Sequence, residues 1–189
     1  MPAKHLMIAI HWYGPYSTLD VARATARYDY ADGLYMCIGK CVRQKAVHVQ
    51  YVGLSKTLHT RLNERHHALR CVTRERQIWL GEIVTSEPTG RRLKVTKTTL
   101  DYAEWLHARF LNLPLNAAKT KGLPARSVTV LNRWFGRDYE TPRGRRPHKD
   151  WPDLIDFPDL EGVPARTVWF GSRQRYFAAP DYAPGSTGN

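Results

Sequence analysis

The chain has 189 residues, 42% of them apolar, enough to bury one hydrophobic core with room for an embellishment or a tail. Lys and Arg outnumber Asp and Glu by 29 to 17, giving a formal net charge of +12, and that excess favours a polyanionic partner such as nucleic acid. Three cysteines without paired Cys-x-x-Cys spacing exclude a disulfide scaffold, the apolar start at residues 6–10 is too short for a signal peptide, and no apolar run is long enough to span a membrane, so a soluble cytoplasmic protein is expected.

In chain order, residues 6–12 read as a strand broken by Gly14-Pro15, after which Ser17 or Thr18 caps a helix through Leu19, Val21, Ala22 and Ala26. Residues 1–32 form an N-terminal strand and helix extension in this reading. Two strand-like runs follow the Asp32-Gly33 turn, roughly residues 34–41 and 46–54, and the polar Arg43-Gln44-Lys45 between them predicts a hairpin. Ser55 or Thr57 opens a helix through Leu58, Leu62 and Leu69 that ends before Val72. Residues 78–84 make a third strand, terminated by the turn chemistry of Glu87-Pro88-Thr89-Gly90. Thr98 or Thr99 caps a further helix through Leu100, Ala103, Leu106, Phe110 and Leu111, stopped at Pro114.

Beyond Asn116 the character changes. Residues 119–126 are a basic linker, residues 127–134 a strand, and residues 136–164 hold Arg143, Arg145, Arg146 and five prolines, which excludes a regular helix. Residues 168–177 read as a last strand and residues 183–189 as a frayed terminus. The organisation expected is an extension (1–32), a core (33–120) and a basic, Pro-rich C-terminal extension (121–189) packed on or flanking the core.

The most informative residues are two triplets, Gly33-Leu34-Tyr35 and Tyr51-Val52-Gly53, with Arg61 ten positions after Tyr51. Neighbouring strands would carry the tyrosine hydroxyls and the helix after them the arginine. Hydrolysis of a phosphodiester needs an activated water, a cation near the scissile phosphate and donors for the charge that develops on it. Tyr35 and Tyr51 supply hydroxyls, Arg61 an always-charged fork for a phosphate oxygen, and Glu104 a hard oxygen ligand for one Mg²⁺ or Mn²⁺ whose other ligands are water and phosphate. Each residue also has a plain reading. Tyrosine suits any half-buried strand, Arg61 has Glu64 as a surface ion-pair partner, and Glu104 reads as a solvated helix residue, although it shares a helical side with Leu100 and Leu111, which suggests a ligand. His59 and His107 are assigned to structure, and Cys37, Cys41 and Cys71 to free thiols.

The two triplets, followed in order by Arg61, Glu104 and the Leu113-Pro114-Leu115-Asn116 turn, resemble the GIY-YIG nuclease superfamily over residues 33–120. The resemblance is greatest to its freestanding type II restriction endonucleases. It implies an α/β (α+β) fold in which a small three-stranded antiparallel sheet is flanked by helices, with N- and C-terminal extensions. It also implies metal-dependent cleavage of double-stranded DNA with one divalent ion, Mg or Mn, per site. Tyr35 would be the general base, Tyr51 would orient water or phosphate, Arg61 would stabilise the transition state, Glu104 would bind the metal, and Asn116 would organise the site near the phosphate. The family histidine one helical turn after the arginine falls here on Arg65, with His66 one residue later, about 140° from Arg61 on a regular helix. Either Arg65 serves instead, or the helix is irregular and His66 serves. Lys56, Arg65, Arg143, Arg145 and Arg146 are the expected DNA contacts, and double-strand cleavage from one grouping per chain implies a homodimer, at least on DNA. A structure-specific or repair-type nickase and a noncatalytic nucleic-acid-binding domain are the competing readings.

Overall fold

The structure, a computed structural model, describes residues 5–85, 94–116, 126–160 and 162–177. Its first element already departs from a minimal nuclease core. Strand β1 (Leu6–Tyr16) buries Ile8, Ile10 and Trp12 on one face and Tyr13 and Tyr16 on the other, a pattern that needs cover on both faces of the sheet. It runs on past Gly14-Pro15, where a break was expected, with a register irregularity between Tyr13 and Tyr16. Helix α1 (Leu19–Asp29) follows, capped by the Thr18 hydroxyl, which accepts from the Val21 N–H.

The expected hairpin forms as antiparallel β2 (Gly33–Cys41) and β3 (His48–Ser55), and β4 (Val72–Ile83) pairs antiparallel with the other side of β2. A small three-stranded sheet would end there. Instead β1 pairs antiparallel with β4 and parallel with β5 (Val128–Phe135), and β6 (Leu154–Phe157), β7 (Ala165–Trp169) and β8 (Arg173–Phe177) continue antiparallel. The result is one eight-stranded mixed sheet in the order β3-β2-β4-β1-β5-β6-β7-β8. The expectation of a small three-stranded sheet flanked by helices is therefore corrected: the molecule is mostly sheet, and its helices are few and short. The physical reason lies at the outer edge of β4. Left open, it would present a row of unpaired N–H and C=O groups, and β1 satisfies them from the far end of the chain.

Two smaller departures have local causes. The run at residues 168–177 is a hairpin, because Gly171, at φ 69°, supports a turn between Trp169 and Arg173. Strand β6 is only four residues long and sits among prolines that mask it. The expected turn at residues 87–90, most of the linker at 119–126 and the terminus at 183–189 lie outside the described residues.

The sheet has two covered faces. On one, Leu34, Met36, Val52 and Trp79 pack with Leu100, Ala103, Leu106 and Phe110 of α3 (Lys97–Phe110), and His107 is buried there, its Nδ1 donating to the Ala103 carbonyl at 2.7 Å. Helix α3 starts earlier than expected, because Thr96 rather than Thr98 or Thr99 is its cap and Thr99 completes a capping box. On the other face, Tyr13, Tyr16, Tyr35, Tyr51, Ile78 and Leu80 pack beneath α1 and beneath Leu58, Leu62 and Leu69. The sheet curls around the C-terminal end of α3, so that His48 and Val49 of β3 and Arg173 and Arg175 of β8, the two edge strands, line the same cavity. Among the described residues, no helix is long and apolar enough to cross a membrane.

Candidate active site

Register alone brings the two tyrosines together. Tyr35 pairs with Gly53 and Cys37 with Tyr51, so both phenols project from the same sheet face as diagonal neighbours, with ring centroids 5.8 Å apart. The Tyr35 ring lies across the glycine of the second triplet: a Cβ on Gly53 would stand 2.4 Å from Tyr35 Cζ and from its hydroxyl oxygen. The glycine of the first triplet is equally constrained, since a Cβ on Gly33 would stand 2.8 Å from the Gly81 carbonyl oxygen. Each triplet thus couples a tyrosine to the space it occupies. Gly53→Ala is expected to displace the Tyr35 ring and to destabilise the fold by about 1–3 kcal/mol, the usual cost of overpacking. In a Tyr35→Ala background the same substitution should cost little, and urea unfolding of the four proteins of that cycle checks the coupling.

The helix expected to run from Leu58 through Leu69 lasts only one turn. Helix α2 (Leu58–Arg61) stops because Asn63 competes for its carbonyls, Nδ2 donating to the Thr60 oxygen at 2.8 Å while Oδ1 accepts from the Arg65 N–H at 2.9 Å. Leu58, Leu62 and Leu69 are all fully buried, so the apolar spacing reported the inward face correctly but not the conformation. The turn also decides which of the two side chains reaches Tyr35. His66 is 5% exposed and its Nε2 lies 2.8 Å from the Tyr35 hydroxyl, whereas Arg65 is exposed.

The proton on His66 follows from its other nitrogen. Nδ1 accepts from the N–H groups of Ala68 at 3.1 Å and Leu69 at 3.3 Å, so the neutral ring carries its hydrogen on Nε2 and donates it to Tyr35. Burial, with the charge of Arg61 and the neighbouring His67 adding to it, pushes His66 down to about 4. Because the unfolded imidazole titrates near its ordinary value, stability is expected to be fully present above about pH 6.5 and to be lost as pH falls towards 4. His66→Asn keeps an acceptor for the two backbone N–H groups, and its urea midpoint should fall less between those pH values than that of the wild type.

Arg61 approaches Tyr35 from the other side, Nε donating to the hydroxyl at 3.4 Å. Its alternative partner is taken: Arg76 holds Glu64 through two hydrogen bonds of 2.6 and 3.2 Å. The Tyr35 oxygen therefore accepts from two donors, which directs its own hydrogen away from both. Burial raises the Tyr35 phenol well above its ordinary range, with Tyr51 adding to the effect and Arg61 opposing it, so at neutral pH it is a phenol. Burial also raises Tyr51; hydrogen bonding to Tyr35 offsets this and the charge of Glu104 adds to it. His67 completes the mouth of the site, exposed, stacked on His66 at 4.6 Å and edge-on to Tyr51 at 5.7 Å.

Glu104 comes from the opposite side of the sheet. Helix α3 packs against β3, and Glu104, 3% exposed, is close enough for its charge to act on Tyr51. No group of three or more His, Cys, Asp or Glu side chains able to hold a metal occurs among the described residues. The donor set fits only a hard cation held by one carboxylate, with water and phosphate as its remaining ligands. Asn116 is also buried, but it clamps backbone: Oδ1 accepts from the Val52 N–H at 2.9 Å and Nδ2 donates to the Val52 carbonyl at 2.7 Å. Tyr35, Tyr51, Arg61 and His66 are thus brought together, Asn116 braces the strand that carries Tyr51, and Glu104 is near enough for its charge to act on Tyr51.

The remaining cations lie elsewhere. Lys56 is exposed at the turn after β3, and Arg65 lines a shallow groove against the start of α1. Arg143, Arg145 and Arg146 line a separate cleft beside β5, and Arg133, missed in the sequence, joins them there. Its signal was alternation, since Arg133 is exposed between buried Asn132 and Trp134. No protein-family model matches the sequence, and no curated protein and no solved structure matches the chain.

Proposed function

We propose that the protein is a divalent-metal-dependent DNA endonuclease, of restriction type and acting on double-stranded DNA as a homodimer. The observation that carries this reading is the Tyr35 hydroxyl, held between a neutral His66 and a charged Arg61 beside a second tyrosine. Buried tyrosines in strands are ordinary; a buried phenol accepting from both an imidazole N–H and a guanidinium N–H is arranged to carry a proton. Tyr35 takes the proton of the attacking water in its ionised form, which the two donors stabilise. Arg61, free of Glu64, turns its terminal nitrogens to a phosphate oxygen. Tyr51 donates to phosphate or water. Glu104 would hold Mg²⁺ or Mn²⁺, which when bound polarises the phosphate and neutralises its charge. The net charge of +12 suits the polyanion, and free Cys37, Cys41 and Cys71 suit a cytoplasmic location.

Incubation with supercoiled plasmid and genomic DNA, in Mg²⁺, Mn²⁺ or EDTA, tests the proposal. Cleavage with either metal and none in EDTA is expected, and Glu104→Gln should cut at least about a hundredfold more slowly while still binding DNA in EDTA. Intact DNA under every condition would overturn it. Discrete linear products would mark the restriction-type enzyme, and nicking confined to branched or damaged DNA its repair-type alternative.

A further inference from the structure

Beside β5 opens a cleft of about 940 Å³, lined by Arg133, Arg143, Arg145, Arg146, Lys149 and Phe170 among others. Its acidic lining residue, Asp153, is consumed by Arg146 at 2.7 Å and by the Phe170 N–H at 2.8 Å. Lys149 is tied to Asp150 at 2.9 Å, while Arg133 and Arg145 are exposed and meet no carboxylate among the described residues. Two of the cations lie over aromatic faces, Arg143 over Trp79 at 5.5 Å, where its Nη1 also donates to the Gly14 carbonyl at 3.4 Å, and Arg133 over Phe135 at 5.6 Å.

The register relates this cleft to the candidate active site. Tyr35 pairs with Leu80, Leu80 with Tyr13 and Tyr13 with Phe135, so one cross-strand row joins the proposed catalytic phenol to the strand end that carries Arg133. All four side chains belong to the same sheet face. Three strand spacings put the ends of the row about 14 Å apart, which corresponds to about four base pairs of duplex. Helix α1 rises between them on that face, and its outward side presents Arg23, Arg27 and Tyr28. The same helix exposes Asp20 and Asp29, so the charge between site and cleft is mixed and the cations concentrate in the cleft itself.

We infer that the cleft is a second anchoring surface for duplex DNA, gripping the phosphate backbone about four base pairs from the bond held at Tyr35. The inference takes its occupant from the nuclease reading. Exposed guanidinium forks without acidic partners suit phosphates, and the row from Tyr35 ends at Phe135, over which Arg133 lies, so that cleft and phenol are spaced for one duplex, which favours DNA over an acidic protein.

The test is a binding measurement that needs no turnover. Fluorescence anisotropy of a duplex of about two helical turns, in EDTA across a salt series, compares the wild type with Arg133→Ala/Arg145→Ala and with an equal charge change elsewhere, Lys45→Ala/Lys97→Ala. The cleft pair should weaken binding at least about tenfold and reduce the slope of log affinity against log salt by about 2, at about 0.9 per phosphate contact. The control pair should leave the slope unchanged. Equal effects of the two pairs would overturn the inference, as would an acidic polypeptide binding as tightly as duplex. If the wild type cuts no DNA yet the slope changes as expected, the nuclease reading falls and the anchoring surface stands. If cleavage persists and the slope does not move, the reverse holds.

Discussion

Tyr35→Phe is expected to slow DNA cleavage about a thousandfold, within the range found when a proton-transfer group is removed. The ring is fully buried against Tyr51 and Gly53, so its packing survives the change. Only the hydroxyl is lost, leaving the His66 Nε2–H and the Arg61 Nε–H to find water, at a cost of about 1 kcal/mol. Rate and stability should therefore separate. The pH profile separates them further: burial holds the Tyr35 phenol above its ordinary range, so the ionised fraction of the wild type grows with pH throughout the working range. Single-turnover cleavage should rise towards tenfold per pH unit between neutral and alkaline pH, and that slope should vanish in Tyr35→Phe. A variant that cuts within tenfold of the wild type, with the slope intact, would remove Tyr35 from the chemistry.

The site was more legible in the sequence than the fold, for a physical reason. Tyr35, Tyr51 and Gly53 are positioned by a local hairpin, whose register can be reasoned from two short runs and the turn between them. His66 was legible only as an alternative, because its position depends on Asn63 ending α2, and a side chain that competes for helix carbonyls breaks a periodicity that the buried Leu58, Leu62 and Leu69 otherwise maintain. The fold failed at β1. Its residues signalled a strand, but both its partners, β4 and β5, are distant in sequence, and no local pattern says that a strand will lie between them. Beyond β5 the signal is weaker still: β6 is four residues long among prolines, and β8 exposes nearly all its side chains, so neither carries the alternation by which a strand is read.

Asn116→Ala is expected to cost about 2–4 kcal/mol of stability, the largest effect on stability among the site residues. Strand β3 lies at the edge of the sheet, and its outer side would present backbone groups to nothing. The turn after α3 closes part of that edge: the Leu115 N–H donates to the Gln50 carbonyl at 3.1 Å, and Asn116 makes a two-pronged bond to both backbone groups of Val52, between Tyr51 and Gly53. Alanine would leave a buried donor and a buried acceptor unmet and loosen the strand that carries Tyr51. The resemblance assigned Asn116 to the neighbourhood of the phosphate; the geometry makes it a positioning residue acting through the backbone. Asn116→Asp distinguishes the two. An aspartate still accepts from the Val52 N–H but turns a second oxygen on the Val52 carbonyl, so its carboxyl should titrate above its ordinary value, and only the protonated form can donate there. Urea midpoints of Asn116→Asp should therefore move towards wild type as pH falls through that raised value, opposite to the loss expected from His66. A phosphate contact would instead leave stability nearly unchanged and alter the salt dependence of DNA binding, because the added negative charge would face the DNA backbone.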